Sequence, residues 1–319
     1  MRNRHDKVTL HPDGGVKCDW QYSRILYLCE VFPSTAALLL RKAMRQWPIR
    51  LGSEKNTGSN LADASDDIQP EANTPSVSFI IGHKGLVRLP HLLATLRTIQ
   101  QQVGVPFECI VVEQDAEPLI RDRLPDGVVY LHAPLSAGEV RYNRSAAYNA
   151  GSKLARGKML ILHDNDLLAP VDYAAEAWRL YTAGYEVVQL KRFIFYLNEV
   201  STNLVFTSHS LALRPNIERV IENMEGGTTL GISASAFDMI GGMDEEFVGW
   251  GGEDNEFWDR CLTRKVWEYA YLPFVHLWHP SLAERRKDMN PSLRLLEQKQ
   301  TISPEERIKK LLHKRSLTP

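Results

Sequence analysis

Cysteine is scarce in this 319-residue chain, which contains only Cys18, Cys29, Cys109 and Cys261. The four are scattered, and none forms the Cys-x-x-Cys pair of a zinc site or a redox motif. A chain of this length can bury a core that folds without disulfides. We therefore interpret the cysteines as small buried side chains in a reducing compartment.

An excess of charge of one sign is also absent, because 38 lysines and arginines face 39 aspartates and glutamates, a formal net charge of −1. Nucleic-acid-binding proteins usually carry a marked basic excess, so the balance argues against a nucleic-acid partner. The chain is 24% charged and 44% hydrophobic, which is typical of a globular protein and excludes a largely disordered one.

Long apolar runs are missing as well. Residues 1–16 are polar and contain no apolar signal-peptide core. The most apolar early stretch, residues 25–40, contains Glu30 and Pro33 and is too short and too interrupted to span a bilayer. The sequence therefore predicts a cytoplasmic protein.

We divide the chain into four regions, of which composition marks the linker. Residues 53–75 are rich in Ser, Asn, Asp and Pro and lack hydrophobic periodicity, which predicts a linker or mobile loop. Before it lies an N-terminal appendage, residues 1–52, of unassigned role, with a predicted helix from Ser34, as N-cap, to Trp47. After it lie the main body, residues 76–290, and a basic helical tail, residues 291–319.

From residue 76 apolar strands alternate with amphipathic helices. Strands are predicted at residues 77–82, 107–113, 128–132 and 159–163, and helices at residues 89–103 and 140–155. The alternation predicts an α/β fold with a mixed, mostly parallel central sheet flanked by helices. Ligands of such sheets bind beyond the carboxyl ends of the strands, so polar residues after each strand are the site candidates.

The acidic triplet Asp164-Asn165-Asp166 follows the strand at residues 159–163. Carboxylates at i and i+2 of an extended segment point the same way, and their hard oxygens suit Mg2+ or Mn2+ bound to a substrate phosphate. An isolated triplet of this kind is more often an acidic turn. Its position directly after a buried strand favours the metal site.

A second constellation, FVGWGGEDNEFWDR at residues 247–260, places glycines around Trp250 before the acids Glu253 and Asp254. Core packing explains a tryptophan, and the helix dipole explains acids at a helix N-terminus. The whole cluster is more typical of a carbohydrate subsite, because an aromatic face stacks on a sugar and a carboxylate accepts a hydroxyl proton.

Three basic residues complete the candidates. His276 and His279 lie at and beyond the end of a strand-like run, where an imidazole near two aspartates would complete a divalent-metal site. His279 is the preferred ligand and His276 the alternative, although a lone histidine is more often structural. Arg144, at the start of a predicted helix, is either a solvated helix end or a partner for nucleotide phosphates.

Together these segments resemble GT-A-fold glycosyltransferases, in particular family 2 transferases joined to a galactosyltransferase-type C-terminal half, as in beta-1,4-galactosyltransferases and bacterial chondroitin polymerases. The resemblance covers residues 76–290. It rests on four motifs in the family's order, namely YNRSAAYNAG at 142–151, HDNDLLAP at 163–170, GGTTLGISASAFDMIGG at 226–242 and GWGGEDNEF at 249–257.

The resemblance implies an inverting, metal-dependent hexosyltransferase that moves a sugar from a UDP-sugar to a saccharide or lipid-linked saccharide acceptor, in surface polysaccharide or glycan synthesis. It implies Asp254 as the catalytic base and Glu253 as the residue that holds the acceptor or donor sugar. A single displacement inverts the anomeric carbon, so one base suffices and no covalent intermediate forms.

The resemblance also implies the ligand-binding residues. Asp166 and His279 would bind Mn2+ or Mg2+, with Asp164 and His276 as alternates. The implied donor-binding residues are His83, Arg88, Asp115, Arg144, Asp164 and Trp250. His163 and Asn255-Glu256 depart from the family's pattern and leave the donor sugar open.

Two other functions remain as alternatives. A sugar-nucleotide nucleotidyltransferase would use a Gly-rich loop with Lys or Arg after the first strand, and the GHKG of residues 82–85 falls short of it. A non-catalytic saccharide-binding module on a transferase scaffold would not need both the acidic triplet at residues 164–166 and the acids Glu253 and Asp254.

The C-terminal region carries a local basic excess, with ten lysines and arginines against five acids over residues 284–315. Residues 303–306 (SPEE) predict a capping box with proline at the first helical position. The helix after it is either a solvated terminal helix or a contact with an anionic membrane surface, where lipid-linked acceptors reside. The second alternative predicts a peripheral location at the inner face of the membrane.

Overall fold

The computed structural model describes residues 8–10, 16–18, 33–51, 74–135, 139, 141–212, 215–222, 229–267, 269–280 and 290–317. Most of the predicted linker, residues 53–73, lies outside the described residues. The same is true of residues 226–228 in the third motif and of residues 284–289 in the predicted basic region. Within the described ranges the chain forms thirteen strands and nine α-helices.

The appendage before residue 52 contributes a hairpin and a helix. Strands β1 (Val8–Leu10) and β2 (Val16–Cys18) pair antiparallel. Helix α1 (Pro33–Gln46) begins one residue before the predicted cap Ser34. Its buried Leu40 belongs to the same apolar core as Phe195 and Val275 of the main body. The helix therefore packs on the rest of the protein, whereas the domain boundary at residue 52 stays a prediction.

The main body alternates strands and helices as expected. Its strands are β3 (Val77–His83), β4 (Phe107–Glu113), β5 (Val128–His132), β6 (Met159–His163), β7 (Leu167–Leu168), β8 (Val187–Val188), β9 (Lys191–Leu197), β10 (Ile217–Glu222), β11 (Leu230–Ser233), β12 (Val266–Trp267) and β13 (Leu272–His276). Its helices are α2 (Leu89–Gln100), α3 (Arg144–Ser152), α4 (Tyr173–Thr182), α5 (Glu199–Ser208), α6 (Ala234–Met239), α7 (Glu253–Cys261), α8 (Pro291–Gln300) and α9 (Pro304–Ser316).

Seven strands form the central sheet, in the order β12-β8-β11-β6-β3-β4-β5. The run β6-β3-β4-β5 is parallel, and β11 is antiparallel to both β6 and β8. The predicted mixed, mostly parallel sheet is confirmed, and the architecture is Rossmann-like and consistent with a GT-A fold. Every residue of β3 is buried, which explains why its sequence is a continuous apolar run rather than an alternating one.

A second sheet contains four strands, in the order β10-β9-β13-β7. Strand β13 runs parallel to β9 and antiparallel to β7, with His276 opposite Leu167. Because Leu167 directly follows Asp166, this register carries the end of β13 to the residues that follow β6. The two sheets therefore meet where the sequence placed the acidic triplet.

The C-terminal region is part of the folded body. Ser303 accepts a hydrogen bond from the Glu306 N–H at 3.3 Å, as predicted for the N-cap of α9. Arg307 is buried against Glu256 of α7, whereas Lys309 is exposed. Among the described residues, no helix is both long and apolar enough to cross a membrane. Contact of α9 with a membrane surface stays a prediction.

Candidate active site

The predicted site residues meet at the carboxyl edge of β3, β4 and β6. His83 ends β3, Asp115 follows β4, and the acidic triplet follows β6. Asp115 accepts a hydrogen bond from the Gly85 N–H at 2.7 Å, in a turn where Gly85 has a φ of 80° that favours glycine. His83 bonds to the Gly85 carbonyl and to the Asn165 amide, each at 3.1 Å. Both nitrogens of its buried ring therefore hold this edge together.

Asp166, His276 and His279 form a compact cluster. The Nε2 atoms of His276 and His279 lie 3.7 and 3.5 Å from Asp166 Oδ2, and one ligand atom from each residue fits within 4.8 Å of the others. Two atoms that each ligate a common ion at about 2.1 Å are about 3 to 4 Å apart, so the spacing fits one divalent cation. Distance does not favour His279 over His276, because the structure brings both to Asp166.

Burial and neighbouring charges together set the protonation of this cluster. It lowers the pKa of His276, and it lowers that of His279 to about 4, where the nearby Arg88 adds to the effect. Burial alone would raise the pKa of Asp166, but His276, Arg88 and His279 outweigh it and hold that pKa well below its ordinary value. At pH 7 the cluster thus contains two neutral imidazoles and one carboxylate, the forms that bind metals, and the carboxylate is also ion-paired with Arg88.

Arg144 joins the acidic triplet to the second acidic motif. Its guanidinium lies 2.9 Å from Asp164 Oδ1 and 2.5 Å from Glu253 Oε1. Asn143 caps α3 by accepting from the Ala146 N–H at 2.9 Å, which fixes Arg144 in the first turn. Burial alone would lower the pKa of Arg144, but Glu253 and Asp164 outweigh it and raise that pKa well above its ordinary value. The side chain is 20% exposed, so it is not a solvated helix end.

Asp164 is held differently from Asp166. Besides Arg144, it accepts a hydrogen bond from the Thr229 hydroxyl at 2.9 Å. Although burial alone would raise its pKa, Arg144 leads the charges that lower it, so Asp164 is ionised at neutral pH. It lies outside the group of residues that could share a cation with Asp166.

The loop before α7 presents two acids in different environments. Gly249, Gly251 and Gly252 have φ values of 88°, 99° and 91°, which only glycine adopts readily. Glu253 is buried, and burial raises its pKa while Arg144 offsets part of the effect. Asp254 is partly exposed beside it, and accepts a hydrogen bond from the Asn255 N–H at 2.9 Å. Asp254 is thus the acid that a ligand can reach.

Residues 211–275, one fifth of the chain, match the family model described as the N-terminal domain of galactosyltransferase. The matched segment contains Trp250, Glu253 and Asp254, and ends one residue before His276. The match supports a galactosyltransferase-like glycosyltransferase. A comparison with curated proteins gives no match.

Lys191 is a charged residue near this site that the sequence did not reveal. It begins β9 of the second sheet and is buried. Burial lowers its pKa to about 8, while Asp164 and Asp254 act in the opposite direction as nearby negative charges. The available signal for this residue was the basic pair Lys191-Arg192 at the start of the strand sequence KRFIFYL. Its proximity to Asp164 and Asp254 is a tertiary relation that sequence alone does not give.

Tyr196 was not identified from the sequence, and His163 was noted only as a departure from the family's pattern. The Tyr196 ring stacks on His276 at 4.3 Å between centroids, with 25° between the planes, and so limits rotation of that imidazole. His163 is buried beneath the triplet and donates from Nδ1 to the Asp164 carbonyl at 2.7 Å. Burial lowers the pKa of His163 to about 4, so it supports the triplet as a neutral ring.

Proposed function

We propose that the protein is an inverting, metal-dependent glycosyltransferase that moves a sugar from a UDP-sugar to a saccharide acceptor. The observation that carries the proposal is the link made by Arg144, which contacts Asp164 on one side and Glu253 on the other. In this arrangement, a site for a phosphate-bound cation and a site for a proton-accepting carboxylate would lie close to each other. That combination suits transfer of a group from a nucleotide to a hydroxyl.

At the donor end, Asp166, His276 and His279 would hold the cation. Two imidazole nitrogens with one carboxylate oxygen suit Mn2+ better than Mg2+, which prefers oxygen ligands. When bound, such an ion neutralises charge on the leaving diphosphate. Lys191 and Arg144 would add positive charge on the same side, and the turn of His83 and Asp115 would receive the nucleoside.

At the acceptor end, Asp254 would accept the proton of the attacking hydroxyl. The acceptor oxygen bonds to the anomeric carbon as the bond to the diphosphate breaks on the opposite face, so the configuration inverts. Glu253 is engaged with Arg144 and is buried, which leaves Asp254 as the accessible base. The half-buried Trp250 offers an aromatic face for a sugar ring.

A donor screen tests the proposed function. UDP release would be measured with UDP-Gal, UDP-GalNAc, UDP-GlcNAc, UDP-Glc and UDP-GlcA, with Mn2+ and a panel of saccharide acceptors. We expect one donor to be consumed only when an acceptor is present. We also expect the rate to fall about 100-fold or more in chelator, because stabilisation of transition-state charge by the metal is worth several kcal/mol. Binding of saccharide with no UDP release from any donor would instead indicate a non-catalytic module, and full activity in chelator would refute the metal role.

Both histidines are expected to contribute to metal binding. His276→Ala and His279→Ala should each weaken Mn2+ binding at least about 10-fold, because each neutral imidazole lies at a similar distance from Asp166. Calorimetric titration of the purified protein with Mn2+ measures the effect. His313→Ala, an exposed histidine of α9, is the control. Wild-type affinity in one of the two variants would remove that histidine from the ligand set.

A further inference from the structure

The main chain between His276 and His279 is held from three directions. The Trp278 carbonyl accepts a hydrogen bond from Nε2 of His91 on α2 at 2.8 Å. The Trp278 N–H donates to the hydroxyl of Thr202 on α5, also at 2.8 Å. One residue earlier, the Leu277 N–H donates to the Asp166 carbonyl at 2.9 Å. Two helices and the acidic triplet therefore hold all three peptide units that separate the histidines, one hydrogen bond on each.

We call His91 and Thr202, with their hydrogen bonds to Trp278, the clamp. The orientations of the two histidines depend on the clamp to different degrees. His276 is the last residue of β13 and is aligned by its pairing with β7 and β9. His279 lies beyond the strand, where no ladder hydrogen bond orients it. Its Nδ1 donates to the Pro280 carbonyl at 2.9 Å, and its main chain continues from the peptide at Trp278, which His91 and Thr202 hold.

The clamp residues are themselves rigidly placed. His91 is 8% exposed and Thr202 is 1% exposed. The His91 ring packs edge-on against Phe206 of α5, with centroids 4.9 Å apart, and lies 6.3 Å from the His279 ring. The contact with Phe206 joins α2 to α5, so the two clamping helices hold each other in register.

We propose that His91 and Thr202 are positioning residues of the metal site, which fix the main chain at Trp278 so that His279 faces Asp166 together with His276. The proposal rests on the proposed metal role of that cluster. Metal ligands bind tightly when outer partners hold them in the binding orientation before the ion arrives, and loss of such a partner typically weakens affinity 10- to 100-fold.

Mn2+ affinity of the full-length protein, measured without nucleotide by the paramagnetic resonance signal of free Mn2+, tests the proposal. His91→Phe keeps the ring that packs on Phe206 but lacks the N–H donor, and Thr202→Val keeps the shape but lacks the hydroxyl acceptor. We expect each to weaken Mn2+ binding about 10-fold. Thr202→Ser retains the hydroxyl and should bind within about twofold of the wild-type protein. Thermal unfolding in chelator verifies that all variants fold.

The outcomes separate this proposal from the proposed function. If His91→Phe and Thr202→Val bind Mn2+ like the wild-type protein while Asp166→Asn does not bind it, the positioning role is wrong and the metal role stands. Equal loss in Thr202→Ser and Thr202→Val also contradicts it, because the hydroxyl is then irrelevant. If the wild-type protein binds no Mn2+, or Asp166→Asn binds it normally, the metal role fails and the positioning role fails with it.

Discussion

Replacement of Asp254 by asparagine is expected to abolish sugar transfer while UDP-sugar binding is retained. The amide keeps the size of the side chain and can still accept the hydrogen bond from the Asn255 N–H. It cannot accept a proton from the acceptor hydroxyl. A positioned general base contributes about 10² to 10⁴ in rate, so kcat should fall by that factor. UDP release measures turnover, and calorimetric titration measures donor affinity.

The control for this substitution is Asp238→Asn, which changes an exposed carboxylate on α6 and should leave both quantities unchanged. Near-normal turnover in Asp254→Asn would mean that another group is the base. Parallel loss of donor affinity and turnover would assign Asp254 to donor binding instead. Glu253→Gln is a useful companion, because it removes the charge that pairs with Arg144 and should affect binding as well as turnover.

Four of the seven strands of the central sheet, β3, β4, β5 and β6, were predicted from the sequence, because each is an apolar run. The strands at residues 107–113, 128–132 and 159–163 have the predicted bounds, since apolar, β-branched runs are typical of parallel strands. Helix bounds were less accurate, because tertiary contacts set them. Helix α3 begins at Arg144, directly after its N-cap Asn143, rather than at residue 140. Helix α2 ends before Val103, whose N–H bonds to the Val171 carbonyl.

The site residues that directly follow a predicted strand could be identified from the sequence. Asp166 follows a buried strand, and a histidine near it was expected, but the choice between His276 and His279 was open. Only the pairing of β13 with β7 shows that both approach Asp166. In the same way, the pairing of Arg144 with Glu253 joins residues more than a hundred positions apart. Such contacts carry no local sequence signal.

Helix α9 shows how a composition argument can miss burial. The basic excess suggested a solvated or membrane-bound helix, yet Arg307 is 4% exposed. Its guanidinium lies 3.0 Å from Glu256 Oε1 and 3.1 Å from Asp259 Oδ2, both on α7. Lys299 and Lys314 also pair with Glu246, just before the glycine-rich loop. Part of the positive charge therefore anchors α8 and α9 to the elements that carry Glu253 and Asp254.

Glu256 is expected to be essential for stability, because it is the anion of a buried ionic network. Its carboxylate lies 2.6 Å from Arg260 and 3.0 Å from Arg307. Arg260 also donates to the carbonyls of Ile240 and Gly242, each at 2.6 Å. Glu256→Gln would leave two buried guanidinium groups without this shared anion. Removal of one partner from a buried ion pair costs about 3–5 kcal/mol, and we expect the free energy of unfolding to fall by that amount.

Urea unfolding followed by circular dichroism measures this loss, with Glu297→Ala as the control on the exposed side of α8. That control should change the free energy of unfolding by less than about 0.5 kcal/mol. Arg307→Met should cost less than Glu256→Gln, because Glu256 keeps Arg260 as its partner when Arg307 is lost. The reverse order would show that Arg307, rather than the shared carboxylate, is the centre of the network. A loss below about 1 kcal/mol in Glu256→Gln would contradict a buried ionic role altogether.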